Sequence, residues 1–396
     1  MIGVRLLEIN MQKRSILAVT GIRSDYDILS SVFAEIKKRE SLSLKLIVTG
    51  AHLSKAHGYT LNEIKKDGLS IIAQIESLLS ADTLSSRVKS LAIQLQSLVD
   101  VISNAKPDLL LVLGDREEAI NVALAGSYLN IPVVHFCGGD RVIGNVDDNI
   151  RHAVTKLAHI HFPSNEDSAK RIASLGEQSF RIYNVGNPGL DRLLQTPTIP
   201  LSEVWSNFGF DVGDEEKYIV IIQHVISSES DFGYEQMLIT LSAVKELGVK
   251  AVVVYPNSDA GSQGLINAID EFKSTPNIFM IKNIPRLEFV NILRSAACLV
   301  GNSSAGILEA PILKLPVVNI GNRQKGRLHA ENVQFVSHDV MAIKAAISKA
   351  LYDSDYKKIV QNCENPYGNG YSSKTIVDIL ESIQIDEKLL VKDITF

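Results

Sequence analysis

Charged residues follow directly after one of the most apolar runs of the chain. The run LLLVLG ends at Gly114, and Asp115, Arg116 and Glu117 come next. A carboxylate at the end of a buried parallel strand fits a pocket, where it can accept or donate a proton. A surface loop is the alternative explanation, but a pocket explains three consecutive charges at this place better.

Four other segments in the first half of the chain also carry candidate residues for binding or catalysis. Each follows an apolar run or opens a helix, where polar side chains can meet a ligand. Ser24 or Asp25 is predicted to cap a helix in the first of them. The candidates are Arg23 in 21–26, His52 in 49–52, Asp140 in 135–141 and Asp147 in 147–152. At 21–26 the alternative is a capped helix with an exposed arginine. At 147–152 the alternative is a helix start at which acidic side chains interact favourably with the helix dipole.

The segment GNSSAG (301–306) is the strongest signal in the second half of the chain. Small residues between a strand and a helix make a backbone cradle for phosphate, here Gly301, Ser303 and Ser304. Glu309 would lie on the first turns of that helix and bind ribose hydroxyls, and Arg323 adds a cation near the same edge. The alternative is a loop with a serine cap. Because no P-loop or GxGxxG motif occurs, a nucleoside diphosphate is favoured over ATP hydrolysis or NAD.

Two further groups in the second half follow apolar runs. His224 comes directly after YIVIIQ, and the segment 255–261 brings Asn257 and Asp259. The chain has no paired His/Cys spacing typical of a metal site. We therefore expect neither a metal nor a cofactor.

Composition excludes several classes of partner. The formal net charge is −5 and the pI is about 6.0, so the basic patches of a nucleic-acid or anionic-membrane binder are not expected. Three cysteines without a CxxC pair indicate free thiols in a reducing, cytoplasmic compartment. No run of 18 apolar residues predicts a transmembrane helix.

Apolar runs alternate with amphipathic stretches along the chain, which predicts parallel sheets covered by helices on both faces. The fold class is therefore α/β, with two Rossmann-like doubly wound domains. Predicted strands are 15–20, 44–50, 108–115 and 131–136, then 218–224, 250–256, 277–281, 297–304 and 315–321, and predicted helices include 28–39, 83–104 and 117–129. Ligands of such sheets bind beyond the carboxyl ends of the strands.

The alternation of predicted strands and helices, and the place where it is interrupted, also predict the domain boundaries. The first domain is expected at 1–190, with 1–12 as a flexible extension, and the second at 203–368. The stretch 185–203 holds three prolines and two glycines, and on this ground a linker is predicted at 191–202. A last helical segment, 369–396, follows the turn NPYGNG.

The motifs in this order resemble the hydrolysing UDP-N-acetylglucosamine 2-epimerases of sialic-acid and legionaminic-acid pathways, and the epimerase half of the mammalian bifunctional enzyme. The likeness covers about Ile16 to Ile383, and its strings are GIRSDY (21–26), TGAHLS (49–54), GDREEA (114–119), DDNIRHAVTKLAHIHF (147–162), YPNSDAGS (255–262), GNSSAG (301–306) and GNRQKGR (321–327). The resemblance implies the glycosyltransferase-B architecture, UDP in the interdomain cleft, a C-terminal helix that crosses back to the first domain, and a homodimer or homotetramer.

The resemblance also implies roles for the candidate residues. Arg23, Ser303, Ser304 and Arg323 would hold the diphosphate, with Gly301 in the cradle and Glu309 on the ribose. The groups expected near the sugar are His52, Asp115, Arg116, Asp140, Asp147, His224, Asn257 and Asp259. One departure bears on catalysis: members read HIEGGE where this chain reads HFCGGD, so Cys137 replaces a carboxylate often assigned to acid–base work.

The implied reaction converts UDP-GlcNAc and water to N-acetylmannosamine and UDP through a 2-acetamidoglycal. Loss of UDP makes the C2 proton removable, and Asp115 is our first choice for the base. Asp147 and His224 are the candidates for reprotonation and addition of water, and Asp140 is the other carboxylate considered. The alternatives are the same reaction on UDP-N,N′-diacetylbacillosamine, a GDP-linked donor, a glycosyltransferase, a non-hydrolysing epimerase and an inactive UDP-sugar sensor.

Overall fold

The computed structural model describes residues 13–55, 58–79, 83–141, 146–210, 217–256, 262–282 and 284–395. The predicted extension 1–12 and the candidates Asn257 and Asp259 lie outside these ranges. The chain divides into two compact units. The first unit comprises Met1–Arg192 and Tyr367–Phe396, and the second unit comprises Leu193–Pro366.

Twelve strands and the helices that cover them make up the described residues. The strands are β1 (Arg14–Thr20), β2 (Leu42–Thr49), β3 (Ile71–Ile75), β4 (Leu109–Leu113), β5 (Val133–Phe136), β6 (Ile160–Phe162), β7 (Tyr218–Ile222), β8 (Lys250–Val254), β9 (Ile278–Ile281), β10 (Cys298–Gly301), β11 (Val317–Ile320) and β12 (Val333–Val336). The helices are α1 (Arg23–Lys37), α2 (Leu61–Lys66), α3 (Leu84–Ala105), α4 (Glu117–Leu129), α5 (Val146–Leu157), α6 (Glu166–Ser174), α7 (Gly189–Gln195), α8 (Leu201–Ser206), α9 (Gly233–Leu247), α10 (Ser262–Glu271), α11 (Arg286–Ser295), α12 (Ala305–Leu308), α13 (Val340–Tyr352), α14 (Ser354–Asn362), α15 (Ser372–Ser382) and α16 (Glu387–Leu390).

Each unit is built on one parallel sheet with the same strand order. The first sheet runs β3-β2-β1-β4-β5-β6, and the second runs β9-β8-β7-β10-β11-β12. Both are the doubly wound order 3-2-1-4-5-6, so the predicted fold class is confirmed. The order reverses between β1 and β4 in the first sheet and between β7 and β10 in the second. Ligands bind at such switch points, beyond the carboxyl ends of the strands.

Alternating side chains of β1 explain why helices cover both faces of the first sheet. Ile16 and Ala18 belong to the apolar cluster packed with α1 and α15. Leu17 and Val19 point to the opposite face and belong to the cluster packed with α3 and α4. Burial on both faces is the reason that these strands appear in the sequence as continuous apolar runs.

The predicted start of the first helix is wrong, whereas the boundary between the two units, at Arg192 and Leu193, lies within the predicted linker. Helix α1 begins at Arg23 rather than near residue 28, with Ile22 as an extended N-cap that has no side-chain cap, so neither Ser24 nor Asp25 caps it. The predicted linker 191–202 contains most of α7 and the start of α8. Its Asp191 is buried and accepts hydrogen bonds from the backbone N–H groups of Ser372 and Ser373, which is a packed arrangement.

The C-terminal segment is anchored in the first unit by buried cations. Arg181 is fully buried and donates to the carbonyl oxygens of Lys388, Leu389 and Val391 at 2.6–2.9 Å. Lys392 donates to the carbonyl of Lys156 at the end of α5 and pairs with Glu177 at 2.8 Å. These contacts provide hydrogen-bond donors for carbonyl groups that have no partner within the helix at its C-terminal end. No helix among the described residues is long and apolar enough to cross a membrane.

Candidate active site

The loop after β4 carries Asp115 at the switch point of the first unit. The guanidinium of Arg151, from α5, forms an ion pair with Asp115 and donates to the carbonyl oxygen of Cys137 at 2.7 Å. The side chain of Arg151 is 7% exposed and that of Asp115 is 16% exposed. Arg151 therefore fixes the direction of the Asp115 carboxylate and ties it to the loop after β5.

Arg116 and Arg87 provide positive charge beside several carboxylates. Arg116 is the N-cap residue of α4, and its Nε lies 3.5 Å from Oε2 of Glu118. Arg87, on α3, pairs with Glu117 and lies 3.8 Å from Oδ1 of Asp147. Burial raises the pKa of Asp147, and the two arginines oppose this change. The first unit thus brings Asp115, Arg116 and Asp147 of the predicted set into one charged cluster.

Asp25 lies in the first turn of α1 and belongs to the same cluster. Burial, and next the negative charge of Glu118, raise its pKa to about 7, while Arg116 and Arg151 lower it. A carboxyl group that titrates near neutral pH can act as an acid or as a base in catalysis. From the sequence, Asp25 was expected only as a helix cap.

His52 has a different environment from the one expected. It is 1% exposed, and its two ring nitrogens hydrogen-bond to the hydroxyls of Thr20 at 3.0 Å and Thr60 at 2.6 Å. Burial lowers its pKa to about 4, so the ring is neutral. With both nitrogens engaged by the protein, the ring braces the ends of β1 and β2, and this geometry does not favour direct contact with a sugar.

Asp140 and Arg23 are also engaged by other side chains. Oδ1 of Asp140 accepts hydrogen bonds from Ser164 at 2.5 Å and Ser168 at 2.6 Å, so it stabilises the loop after β5. This arrangement does not favour the acid–base role expected for Asp140. Arg23 is half-exposed and lies 3.8 Å from Asp27 and 3.5 Å from Glu63. It belongs to the first unit, whereas the other predicted diphosphate ligands belong to the second.

In the second unit, Asn302 joins the two strand ends at the switch point. Its side-chain amide accepts from the backbone N–H of His224 at 2.7 Å and donates to the carbonyl of His224 at 2.9 Å. Gly301 has φ +123°, and a Cβ there would collide with the carbonyl oxygen of Ile222. The loop after β10 therefore approaches the loop after β7 more closely than a residue with a side chain allows.

Arg323 is held against the same loop. Its guanidinium donates to the carbonyl of Asn302 at 3.1 Å, and Gln324 donates to the same oxygen at 3.0 Å. The hydroxyl of Ser303 accepts from the backbone N–H of Ala305 at 3.2 Å. The described residues thus bring Gly301, Ser303, Ser304 and Arg323 together, next to His224.

The helix that follows the cradle is much shorter than expected. Helix α12 is one turn long, Ala305–Leu308, and Glu309 is its C-terminal cap. A single turn has little macrodipole, so charge on a ligand must be met by Arg323 and backbone N–H groups. Arg286, on α11, pairs with Glu309 at 2.9 Å and orients that carboxylate.

Comparison with known proteins identifies the family to which this chain belongs. A family model described as UDP-N-acetylglucosamine 2-epimerase matches residues 34–381. The chain belongs to this 2-epimerase family. A relative from Legionella pneumophila, named UDP-N,N′-diacetylbacillosamine 2-epimerase (hydrolyzing), is 36% identical over 379 residues and covers 96% of this chain and 98% of its own. A Neisseria meningitidis relative named UDP-N-acetylglucosamine 2-epimerase is 30% identical over 343 residues, or 85% of this chain and 87% of its own.

A solved structure agrees with the fold of this epimerase. The crystal structure of UDP-GlcNAc 2-epimerase from Neisseria meningitidis bound to UDP-GlcNAc has a TM-score of 0.79 and 22% identity, and the match covers 92% of this chain and 99% of that one. The protein is a sugar-nucleotide 2-epimerase of the hydrolysing family, and the resemblance inferred from the motifs is confirmed. The glycosyltransferase alternative is not favoured.

Several residues around the two sites of this epimerase were not predicted from the sequence. Glu118 is 8% exposed and shares the inward face of α4 with Val122, four positions later, so helical periodicity could have placed it on the buried face of this helix. Arg151 and Arg286 carried no comparable signal, because an arginine on a helix is usually exposed. Among the described residues, no cluster of three His, Cys, Asp or Glu side chains could hold a metal ion.

Replacing Gly301 with alanine should destabilise the second unit by about 3–5 kcal/mol, because the new Cβ adds backbone strain to a clash with Ile222. The single tryptophan, Trp205, is buried in the core of the second unit, so its fluorescence follows unfolding there. Gly248→Ala is the matched control: its φ is also positive, at +65°, but open space surrounds it. Equal shifts of the unfolding midpoint in the two variants would contradict the proposed close approach.

Proposed function

We propose that this epimerase acts on UDP-N,N′-diacetylbacillosamine, releasing UDP and the free sugar with inverted configuration at carbon 2. The relative named for that substrate is 36% identical over 96% of the chain, compared with 30% over 85% for the relative named for UDP-GlcNAc. UDP-GlcNAc, the substrate that the motifs alone favoured, is the second candidate on the strength of the latter relative.

The observation that carries the proposed reaction, as distinct from its substrate, is the charged cluster of the first unit. Asp115 is fixed by Arg151, and Asp147 lies beside Arg87 and near Arg116. Carboxylates in different charge environments can carry out acid and base steps in one site. Such a site suits a reaction in which one group removes the C2 proton and another returns a proton to C2 from the opposite face.

The elimination begins as the bond between C1 and the UDP oxygen breaks. Electron deficiency at C1 makes the C2 proton removable, and Asp115 takes this proton to leave a C1–C2 double bond. A proton is then returned to C2, and the oxygen of water bonds to C1. Asp147 and His224 are the candidates for these last steps. Release of the sugar without UDP makes the reaction hydrolytic.

The second unit is proposed to bind the UDP part of the substrate. Gly301, Ser303 and Ser304 offer backbone and hydroxyl donors to the diphosphate, and Arg323 beside them adds positive charge. Glu309, oriented by Arg286, would accept hydrogen bonds from the ribose hydroxyls. His224, which Asn302 holds at the adjacent strand end, would face the reacting sugar.

The test is a panel of sugar nucleotides incubated in heavy water without an acceptor. The panel contains UDP-N,N′-diacetylbacillosamine, UDP-GlcNAc and the GDP-linked analogue, and mass spectrometry detects free sugar and nucleotide. We expect equimolar UDP and a free sugar with one deuterium at C2, fastest from the diacetylated substrate. Faster turnover of UDP-GlcNAc would reject the proposed substrate, and a product without deuterium would reject the elimination mechanism.

A further inference from the structure

His135 is a buried side chain on β5 that the proposed mechanism leaves without a role. It is fully buried, and its Nε2 lies 2.8 Å from the carbonyl oxygen of Gly114, the residue directly before Asp115. Its Nδ1 lies 3.3 Å from the hydroxyl oxygen of Thr155, in the last turn of α5. His135 therefore lies between the turn that carries Asp115 and the helix that carries Arg151.

The tautomer of His135 follows from its two partners. A carbonyl oxygen can only accept a hydrogen bond, so Nε2 carries the ring proton and donates it to the carbonyl of Gly114. Burial lowers the pKa of His135 to about 3, so the ring is neutral and Nδ1 is an acceptor. The hydroxyl of Thr155 has two acceptors within hydrogen-bond distance, this nitrogen and the carbonyl oxygen of Arg151 at 3.0 Å. Contacts at both nitrogens fix the orientation of the ring.

Gly114 is the point at which the chain leaves β4. Its φ is +73°, in the left-handed region that glycine adopts without strain. Its N–H donates to the carbonyl of Phe136 at 2.9 Å, and its carbonyl accepts from His135. That carbonyl belongs to the planar peptide unit that joins Gly114 to Asp115. The bond from His135 therefore fixes the plane from which Asp115 projects.

Gly138, in the loop after β5, leaves the space that this arrangement needs. A Cβ there would lie 2.9 Å from Nδ1 of His135 and 3.2 Å from the hydroxyl oxygen of Thr155. The backbone of the loop thus packs directly against the contact between these two side chains, which are both fully buried. Because water has no access there, a lost hydrogen bond would not be replaced by one to solvent.

Helix α5 holds the turn after β4 at two points. Arg151 and Thr155 are four positions apart, so they lie on the same face of this helix. Arg151 forms an ion pair with the carboxylate of Asp115, and Thr155 contacts the ring that donates to the carbonyl of Gly114. The side chain of Asp115 and the peptide bond before it are therefore fixed by separate contacts.

We infer that His135 is a positioning residue for the C2 base, because it fixes the peptide bond between Gly114 and Asp115, and that Thr155 holds its ring in place. This role rests on the proposed function, in which Asp115 takes the C2 proton. Proton removal from carbon depends on the placement of the base, and a displacement of about 1 Å can lower a rate by about 10²-fold. His135 itself contacts no substrate and transfers no proton.

His135→Leu removes the donor to the carbonyl of Gly114 and should lower kcat by roughly 10–10²-fold. KM should change little, since the proposed UDP contacts lie in the second unit. His135→Gln, whose side-chain amide can donate to the same carbonyl, should recover most of kcat. The measurement is the initial rate of UDP release over a range of substrate concentrations. A normal kcat in His135→Leu, or a folded His135→Gln that is equally slow, overturns the role of His135.

The matched control is His161→Leu. His161 is fully buried on β6 and lies in register with His135, but its Nε2 bonds to Glu177 at 3.0 Å, away from the turn after β4. This variant should lower the unfolding temperature, measured by circular dichroism, and keep a kcat near that of the wild type. Equal losses of kcat in the two leucine variants would mean that a disturbed core, and not the position of Asp115, slows the reaction.

A double variant tests whether His135 acts through Asp115. Once Asp115→Asn has removed the base, its exact position no longer matters, so adding His135→Leu should lower kcat little further. A further fall as large as that in the wild-type background contradicts the inference.

Thr155→Val tests the same contacts if His135→Leu does not fold. Valine matches the shape of threonine without the hydroxyl, so the ring of His135 loses one of its two contacts and kcat should fall by about 3–10-fold. Thr155→Ser keeps the hydroxyl and should restore the rate. An unchanged kcat in folded Thr155→Val overturns the role of Thr155.

Failure of the proposed function has a different signature. A wild-type protein that releases UDP from no sugar nucleotide rejects that function, and a normal rate in Asp115→Asn rejects its base. A large loss in Asp115→Asn together with a normal rate in His135→Leu rejects only the positioning role of His135.

Discussion

Asp115→Asn is expected to lower kcat by roughly 10²–10⁴, because asparagine cannot take the C2 proton. The size of the amide matches the carboxylate, and Arg151 can still donate to the amide oxygen, so the fold of the loop after β4 should persist. KM should change little, since the proposed UDP contacts lie in the second unit. The measurement is the initial rate of UDP release together with the rate at which C2 of the substrate exchanges with deuterium.

Asp167→Asn serves as the control for this variant. Its carboxylate is half-exposed on α6 and pairs with Arg171, so its loss should leave kcat unchanged. If Asp115→Asn turns over at a near-normal rate, the base is not Asp115. The same assay on Asp147→Asn then shows whether the second carboxylate of the cluster removes the proton.

The places of the residues that follow the strands could be predicted, because two simple patterns coincide at the carboxyl ends of the strands. Burial on both faces makes each strand a continuous apolar run, and a parallel sheet brings all its carboxyl ends to one edge. Asp115 and Gly301 follow such runs, so their places at the switch points could be inferred. The short edge strands β3, β6 and β12 were missed, because three to five residues do not stand out from a loop, and β3 and β12 are also partly exposed.

What surrounds each candidate could not be inferred from the sequence. His52 and Asp140 have the right residue types beside the right strands, yet threonine and serine hydroxyls engage them. Those partners are distant in sequence or lie on another element, and no local pattern marks them. The length of α12 was missed because the apolar residues continue beyond Leu308, although Pro311 was a signal that the helix ends early.

Cys137 shows why a motif alone could not settle the base. The cysteine is 6% exposed and packs in the apolar cluster of Phe136 and Phe162. It has φ +56°, so the loop turns there in a left-handed conformation. Where the family motif has a glutamate, this chain therefore has a core side chain, and the backbone carbonyl of Cys137 is joined through Arg151 to the carboxylate of Asp115.

Arg151→Met is expected to destabilise the first unit by about 3–5 kcal/mol, because it leaves the Asp115 carboxylate in a largely buried place without its counter-charge. The carbonyl of Cys137 also loses a donor. Urea unfolding followed by circular dichroism measures the loss, while Trp205 fluorescence reports the second unit, which should be unaffected. The matched control is Arg87→Met, whose half-exposed ion pairs should contribute no more than about 1 kcal/mol.

The double variant Asp115→Asn/Arg151→Met separates the cost of an unpaired charge from a loss of packing. Removing both charged partners leaves no isolated buried ion, so most of the stability lost in Arg151→Met should return, and the two substitutions should be strongly non-additive. Turnover should not return, because the base is still absent. If the double variant is as unstable as Arg151→Met alone, Arg151 stabilises the first unit through its packing and its bond to Cys137, and the ion pair is not what fixes Asp115.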